Sequence, residues 1–218
     1  MVVNNLAEVL RVQGRYDESE AMNRRALEEY EKQFGSDHPD TLKATNNLAL
    51  ALRDLGRYEE SEVMNHRALE GYERCFGSDH PNTLAAVNNQ AQVLQSQGRY
   101  DESEAMNRRA LQGYEKCFGS ENPNTLIPVS NLAQVLRRQG RYEESEVMNR
   151  RALVGYEKCF GSGHPNTLIV VNNLSMLLLK WGKFIESEKM FRRVLEGREK
   201  AMGTDHPSVL STIDNLTL

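Results

Sequence analysis

A spacing of forty-two residues governs this chain from one end to the other. Gly14, Gly56, Gly98, Gly140 and Gly182 keep it, and so do Pro39, Pro81, Pro123, Pro165 and Pro207. The segments that start at those glycines nearly copy one another: GRYDESEAMNRRALEEYEKQFG, GRYEESEVMNHRALEGYERCFG, GRYDESEAMNRRALQGYEKCFG and GRYEESEVMNRRALVGYEKCFG. A fixed period in this range marks one supersecondary unit stacked on copies of itself. Such a stack offers a long surface rather than an enclosed pocket. Partner binding is therefore the leading functional expectation.

One unit, Ser36 to Gly77, shows why the repeat should fold as two helices. Gly35 can close the preceding helix with a left-handed residue. Ser36 or Asp37 can cap the next, with Pro39 tolerated in its first turn and Asp40 facing its positive end. Leu48, Ala49, Ala51, Leu52 and Leu55 recur at helical spacing, which predicts helix A from about Asp40 to Leu55. Gly56 breaks it. Tyr58, Ser61, Met64, Ala68, Leu69 and Tyr72 then predict helix B, ending near Phe76. So short a turn requires antiparallel packing. Small residues fall where the two helices approach: Ala7, Ala49, Ala91, Ala133 and Ser175 on A, and Ala26, Ala68, Ala110, Ala152 and Val194 on B. The expected organisation is a single array with a partial repeat at 1–35, full repeats at 36–77, 78–119, 120–161 and 162–203, and a helix A alone at 204–218. Both ends fall inside a repeat, so a fragment of a longer array is expected, with Leu216 and Leu218 exposed.

Composition narrows the function. The 218 residues are 39% hydrophobic and 27% charged, with a formal net charge of −4, which argues against a nucleic-acid footprint. No apolar run approaches the ~18 residues of a membrane span, and MVVNNLAEVL does not read as a signal peptide. The expected location is cytoplasmic. Cys75, Cys117 and Cys159 repeat at one position, too far apart in a stack for disulfides, and are expected as reduced, small apolar residues near a helix end.

No constellation points to catalysis. His38, His80, His164 and His206 recur in the loop between repeats, with Asn122 in the remaining slot. Equivalent loops stack a repeat apart, whereas zinc needs its ligands ~2.0–2.3 Å from one centre. Capping or loop structure is the expected role, and neither metal nor cofactor is expected. Cys75 and His80 lie near each other in sequence, but a nucleophile site repeated three times is architecture. The glycines do not match a phosphate loop either.

The pattern of Leu48, Ala49, Gly56, Tyr58 and Ala68 resembles the tetratricopeptide repeat in a forty-two-residue form. DHPDTLKATNNLALAL and DHPNTLAAVNNQAQVL resemble the repeats of kinesin light chains, and MNRRALEGYEKCFG is similar to the C-terminal arrays of fungal NOD-like STAND receptors. The resemblance implies an all-α fold, a right-handed superhelical solenoid of antiparallel helix pairs. It departs from the family pattern at Ser19, Ser61, Ser103, Ser145 and Ser187, and at Asn23, Asn65, Asn107 and Asn149. A polar ladder between neighbouring B helices is expected there. Gln90 replaces the leucine of Leu48, Leu132 and Leu174 and should be a weak spot. Repeat 5, with Trp181, Phe184, Met190, Phe191 and Val194, is more apolar.

In such a solenoid the A helices line the concave face. The resemblance places Lys43, Asn46, Asn47, Leu50, Arg53 and Asp54 there in repeat 2, and Ala85, Asn88, Asn89, Gln92, Gln95 and Ser96 in repeat 3. Repeat 4 contributes Ile127, Ser130, Asn131, Gln134, Arg137 and Arg138, and repeat 5 Ile169, Asn172, Asn173, Met176, Leu179 and Lys180. Spacings of three, four and seven put each set on one helix face independently of the resemblance. The asparagines resemble those that contact bound peptide in kinesin light chains, where an amide both donates and accepts. Lys43, Arg53, Arg137, Arg138 and Lys180 against Asp54 make this face basic, which favours acidic segments. The expected function is a non-enzymatic module binding a peptide or protein segment, within a STAND-type receptor or a kinesin-light-chain-like adaptor. The alternative is a scaffold assembling head to tail.

Overall fold

Every repeat carries two helix starts and two helix stops, and the backbone obeys them. In a computed structural model, which describes residues 2–203 and 207–216, the described chain forms helices joined by short turns and contains no strand. The A helices are α1 (Val2–Val12), α3 (Pro39–Asp54), α5 (Pro81–Ser96), α7 (Pro123–Arg138), α9 (Pro165–Lys180) and α11 (Pro207–Leu216). The B helices are α2 (Tyr16–Phe34), α4 (Tyr58–Phe76), α6 (Tyr100–Phe118), α8 (Tyr142–Phe160) and α10 (Phe184–Met202). His206 and Leu218 lie outside the described residues, as does the side chain of Leu216.

The A helices start on the recurring histidine, in its expected capping role, and not on the serine or aspartate before it. Ser36 and Asp37 do not cap α3; His38 does, its Nδ1 accepting the Asp40 N–H at 3.2 Å. His80 and His164 cap α5 and α9 identically, and Asn122 Oδ1 accepts from the Asn124 N–H at 2.9 Å in α7. The proline that follows explains the choice. It holds residue 38 extended (φ −67°, ψ 140°), which aims that side chain back across the first turn.

The turn from A to B rests on a glycine at positive φ. Gly56 (φ 77°) donates to the Arg53 carbonyl and Arg57 to the Leu52 carbonyl, each at 2.9 Å, so two carbonyls at the end of α3 are satisfied before α4 begins.

The described chain divides into two compact units, Met1–Cys117 and Phe118–Leu218. Within the first, each helix from α1 to α5 packs on the next, and α6 lies against α5 through the bond from Ser103 to Ala91. Its core gathers Leu42, Leu69, Tyr72, Leu84 and Val87, beside a cluster of Leu27, Ala44, Leu48 and Leu52. Burial pushes the Tyr72 hydroxyl up to about 12. Within the second unit α7, α8, α9, α10 and α11 follow the same succession.

Close approach inside the pairs α3–α4, α5–α6, α7–α8 and α9–α10 depends on glycines in the interior of the B helices. Gly71, Gly113, Gly155 and Gly197 sit within B helices, each under the leucine that opens its own A helix: Leu42, Leu84, Leu126 and Leu168. A Cβ on Gly155 would stand 2.6 Å from both methyls of Leu126, which no real packing tolerates.

The expected ladder between B helices is corrected. The serine that opens each B helix is buried and donates to a carbonyl of its own A partner: Ser61 to Ala49 at 2.7 Å, Ser103 to Ala91 and Ser145 to Ala133 at 2.6 Å, Ser187 to Ser175 at 2.9 Å. The tight glycine turn sets the first turn of B beside the second half of A, so the hydroxyl meets that helix first. Asn107 and Asn149, one turn on, donate back to Ser103 and Ser145 within their own helix.

Candidate functional site

The A helices bury one face and present the other. In α3, Thr41, Leu42, Ala44, Thr45, Leu48, Ala49, Ala51 and Leu52 are buried, which leaves Lys43 exposed and Asn46, Asn47, Leu50, Arg53 and Asp54 half-buried. In α5, Ala85 and Ser96 are exposed and Asn89, Gln92 and Gln95 half-buried, whereas Asn88 is 7% exposed. In α7, Ile127 and Arg138 are exposed, Asn131, Gln134 and Arg137 half-buried, and Ser130 buried. In α9, Ile169 and Lys180 are exposed, and Asn172, Asn173, Met176 and Leu179 half-buried.

Two of these side chains already serve each other. Asn89 Nδ2 donates to Asn46 Oδ1 at 2.9 Å, tying α5 to α3 across their outward faces. That bond uses one amide hydrogen of Asn89 and the oxygen of Asn46, and both side chains remain half-buried on this face.

The charges on this face are unequal in a way their tally conceals. Asp54 receives Arg53 at 2.7 Å and Arg11 at 2.6 Å, while Arg11 also grips Glu8 at 2.8 Å. Arg53 further donates to Gln92. Hydrogen bonding to Glu8 first, then to Asp54, raises the Arg11 pKa. The first unit thus neutralises its own arginines. In the second, Arg138 occupies the register of Asp54, and neither Arg137 nor Arg138 reaches a carboxylate among the described residues. Desolvation, then the like charge of Arg138, pulls the Arg137 pKa down.

At the other end of α7 a cleft of about 410 Å³ opens between α7, α8 and α9. Pro123, Ile127, Tyr156, Phe160, Ile169 and Val170 line its apolar part. The aromatic floor comes from the last turns of a B helix, a contribution that the spacing of the A helices could not reveal.

The residues raised for other chemistry are placed otherwise. The caps consume Nδ1 of His38, His80 and His164, and their rings stack on Phe34 and Phe76 at 4.5 Å and on Phe160 at 4.7 Å. Among the described residues no three His, Cys, Asp or Glu side chains converge as metal ligands. The cysteines are free and exposed rather than packed as small apolar residues. Cys75 and Cys117 donate to the loop carbonyls of Asp37 and Asp79 at 3.2 and 3.1 Å, because the last turn of B faces the loop that opens its own repeat. No helix of the described chain is long and apolar enough to cross a membrane.

Comparison with known proteins bears on this arrangement. A tetratricopeptide repeat family profile matches residues 1–64, 40–116, 84–158 and 124–200. No curated protein matches. Among solved structures, the chain is similar to a Podosopora anserina protein described as a kinesin light chain with nearly identical TPR-like repeats. The TM-score is 0.74 at 20% identity, over 92% of this chain and 94% of that one. It is also similar to BtubC (BKLC) from P. vanneervenii, with a TM-score of 0.75 at 19% identity over 94% and 81%. The apo form of RapI gives a TM-score of 0.75 at 12% identity over 99% and 80%. At these identities the likeness is one of fold.

Proposed function

The chain belongs to the tetratricopeptide repeat family, and on that premise we propose that it is a non-catalytic module that binds a protein or peptide segment. Repeats of this family generally bind protein or peptide partners and are typically non-catalytic. In this reading the helix pairs form one array from residue 1 to 218. The A helices line its concave wall, and the wall holds the partner through Asn46, Asn89, Gln92, Gln134, Asn173 and the cations around them. The observation that carries it is the register itself: α3, α5, α7 and α9 each turn amides outward at the same positions, with cations beside them on α3, α7 and α9.

Library selection lets the test run with the natural partner unidentified. Peptides selected from a displayed random library on the intact chain should lose affinity by about ten-fold or more, one strong interaction's worth, for a variant carrying Lys43→Glu, Gln92→Arg and Gln134→Arg. They should keep it for Val63→Ser with Val147→Ser on the B helices. The reverse pattern would overturn the assignment.

Cytoplasmic location, and a place within a STAND-type receptor or a kinesin-light-chain-like adaptor, belong to the same proposal. A nucleotide-binding domain encoded upstream of Met1 selects the first context and a heptad-rich coiled coil the second. A second reading, head-to-tail self-association, is favoured by exposed apolar residues on α1 (Leu6, Val9) and α11 (Leu210, Ile213). Sedimentation across a concentration series decides it, a strict monomer ruling it out.

A further inference from the structure

Two features of the second unit lie along one helix face and are matched nowhere in the first. The cleft at the start of α7 and α9 exposes Ile127 (42%) and Ile169 (52%) above Tyr156 and Phe160. The same register in the first unit holds Lys43 and Ala85. At the far end of that face stand Arg137 and Arg138, with Lys180 at the register of Arg138 on α9. There the first unit has Arg53 with its own Asp54, and then Gln95 with Ser96.

The repeats act as internal controls. A cation near a helix C-terminus is favourable and accounts for an exposed Arg138. It does not account for a half-buried guanidinium with a second one beside it and, among the described residues, no anion to answer either. In the equivalent place two repeats earlier the chain supplies that anion itself, as Asp54.

We propose that the outward face of α7 and α9 is a two-part docking site for an extended peptide segment, which seats an aliphatic side chain in the Ile127–Ile169 cleft and delivers a carboxylate to Arg137 and Arg138. Ile127 and Arg137 are ten positions apart on one helix, a distance of about 15 Å. An extended strand covers that in about four or five residues, which fixes the separation of the two anchors in the ligand. Gln134 lies on the face between them and offers an amide to the ligand backbone. The guanidinium pair suits a carboxylate better than a lysine would, because its planar fork matches both oxygens. This deepens the reading of the A-helix face and rests on it.

The probe is a labelled serine–threonine peptide of nine residues with leucine second and glutamates sixth and seventh, titrated against the intact chain by fluorescence anisotropy. It should bind about ten-fold or more tightly than three controls: leucine changed to serine, glutamates changed to glutamine, and leucine moved next to the glutamates. Arg138→Asp, which gives repeat 4 the carboxylate that repeat 2 owns, should lower affinity by about ten-fold, and Arg138→Gln by less. Ile127→Ser should weaken the leucine peptide and leave its leucine-free control unchanged. Lys43→Glu in the first unit should change little. Equal binding of probe and controls overturns the two-part site, as does indifference to both Arg138 variants. If the probe fails while library-selected peptides still map to the A helices, the general reading stands and only this site is lost.

Discussion

Residue 90 carries the clearest stability prediction. A glutamine stands there in the slot other repeats give to Leu48, Leu132 and Leu174, 6% exposed, with its Oε1 lacking any hydrogen-bond partner. An unsatisfied buried acceptor costs about 1–3 kcal/mol. Gln90→Leu should therefore raise the unfolding free energy by about 1–2 kcal/mol, read from the denaturant midpoint; an unchanged or lower midpoint would mean the amide is satisfied after all. That weak spot was legible, because register alone exposes a misfit. The helix-interior glycines were not, since without the partner helix a glycine there looks like only lost helix propensity. Gly155→Ala should lower stability by about 1–3 kcal/mol through overpacking on Leu126, although alanine is the better helix former by about 1 kcal/mol. Combining it with Leu126→Ala should give a smaller loss than the two single changes added together, in a double-mutant cycle.

Among the elements, the helix boundaries were readable to within a residue: Asp40 to Leu55 expected, Pro39–Asp54 found, and helix B starting at Tyr58 and ending at Phe76 as expected. Proline and glycine set those limits locally, so tertiary structure had little to add. The caps are harder to place for a related reason. Serine and aspartate are the usual capping residues, so Ser36 and Asp37 compete for the cap with the recurring histidine, whose expected role is capping or loop structure. Replacing His80 by alanine should cost about 1 kcal/mol, and His80→Asn should cost almost nothing, because Asn122 fills that role in α7. Thermal unfolding of the pair decides it; equal losses would show that the ring's stacking on Phe76, not the hydrogen bond, holds the start of α5. The serine bonds teach the same lesson in reverse. Their burial is foreseeable, but their direction depends on the geometry of the turn, which joins A to B within a pair before any neighbour is reached.

Across the whole molecule, the period announced stacked helix pairs, and the residues within each repeat carried the resemblance to the family. The candidate face was legible only as a register of positions, because spacing tells which side chains share a face but not which are already engaged. Arg53 counts as a free cation in sequence and proves bound to Asp54, whereas Arg137, equivalent to it, has no such partner. Arg53 and Asp54 are neighbours in sequence, but the second partner of that carboxylate, Arg11, comes from a residue 43 positions away. The central claim is that ligand lies against the A helices. A photoreactive amino acid placed at Ala85 on α5, and separately at Val63 on α4, puts it to the most direct trial with library-selected peptides as ligand. The account predicts crosslinking from position 85 and none from position 63; crosslinking from 63 alone would contradict it.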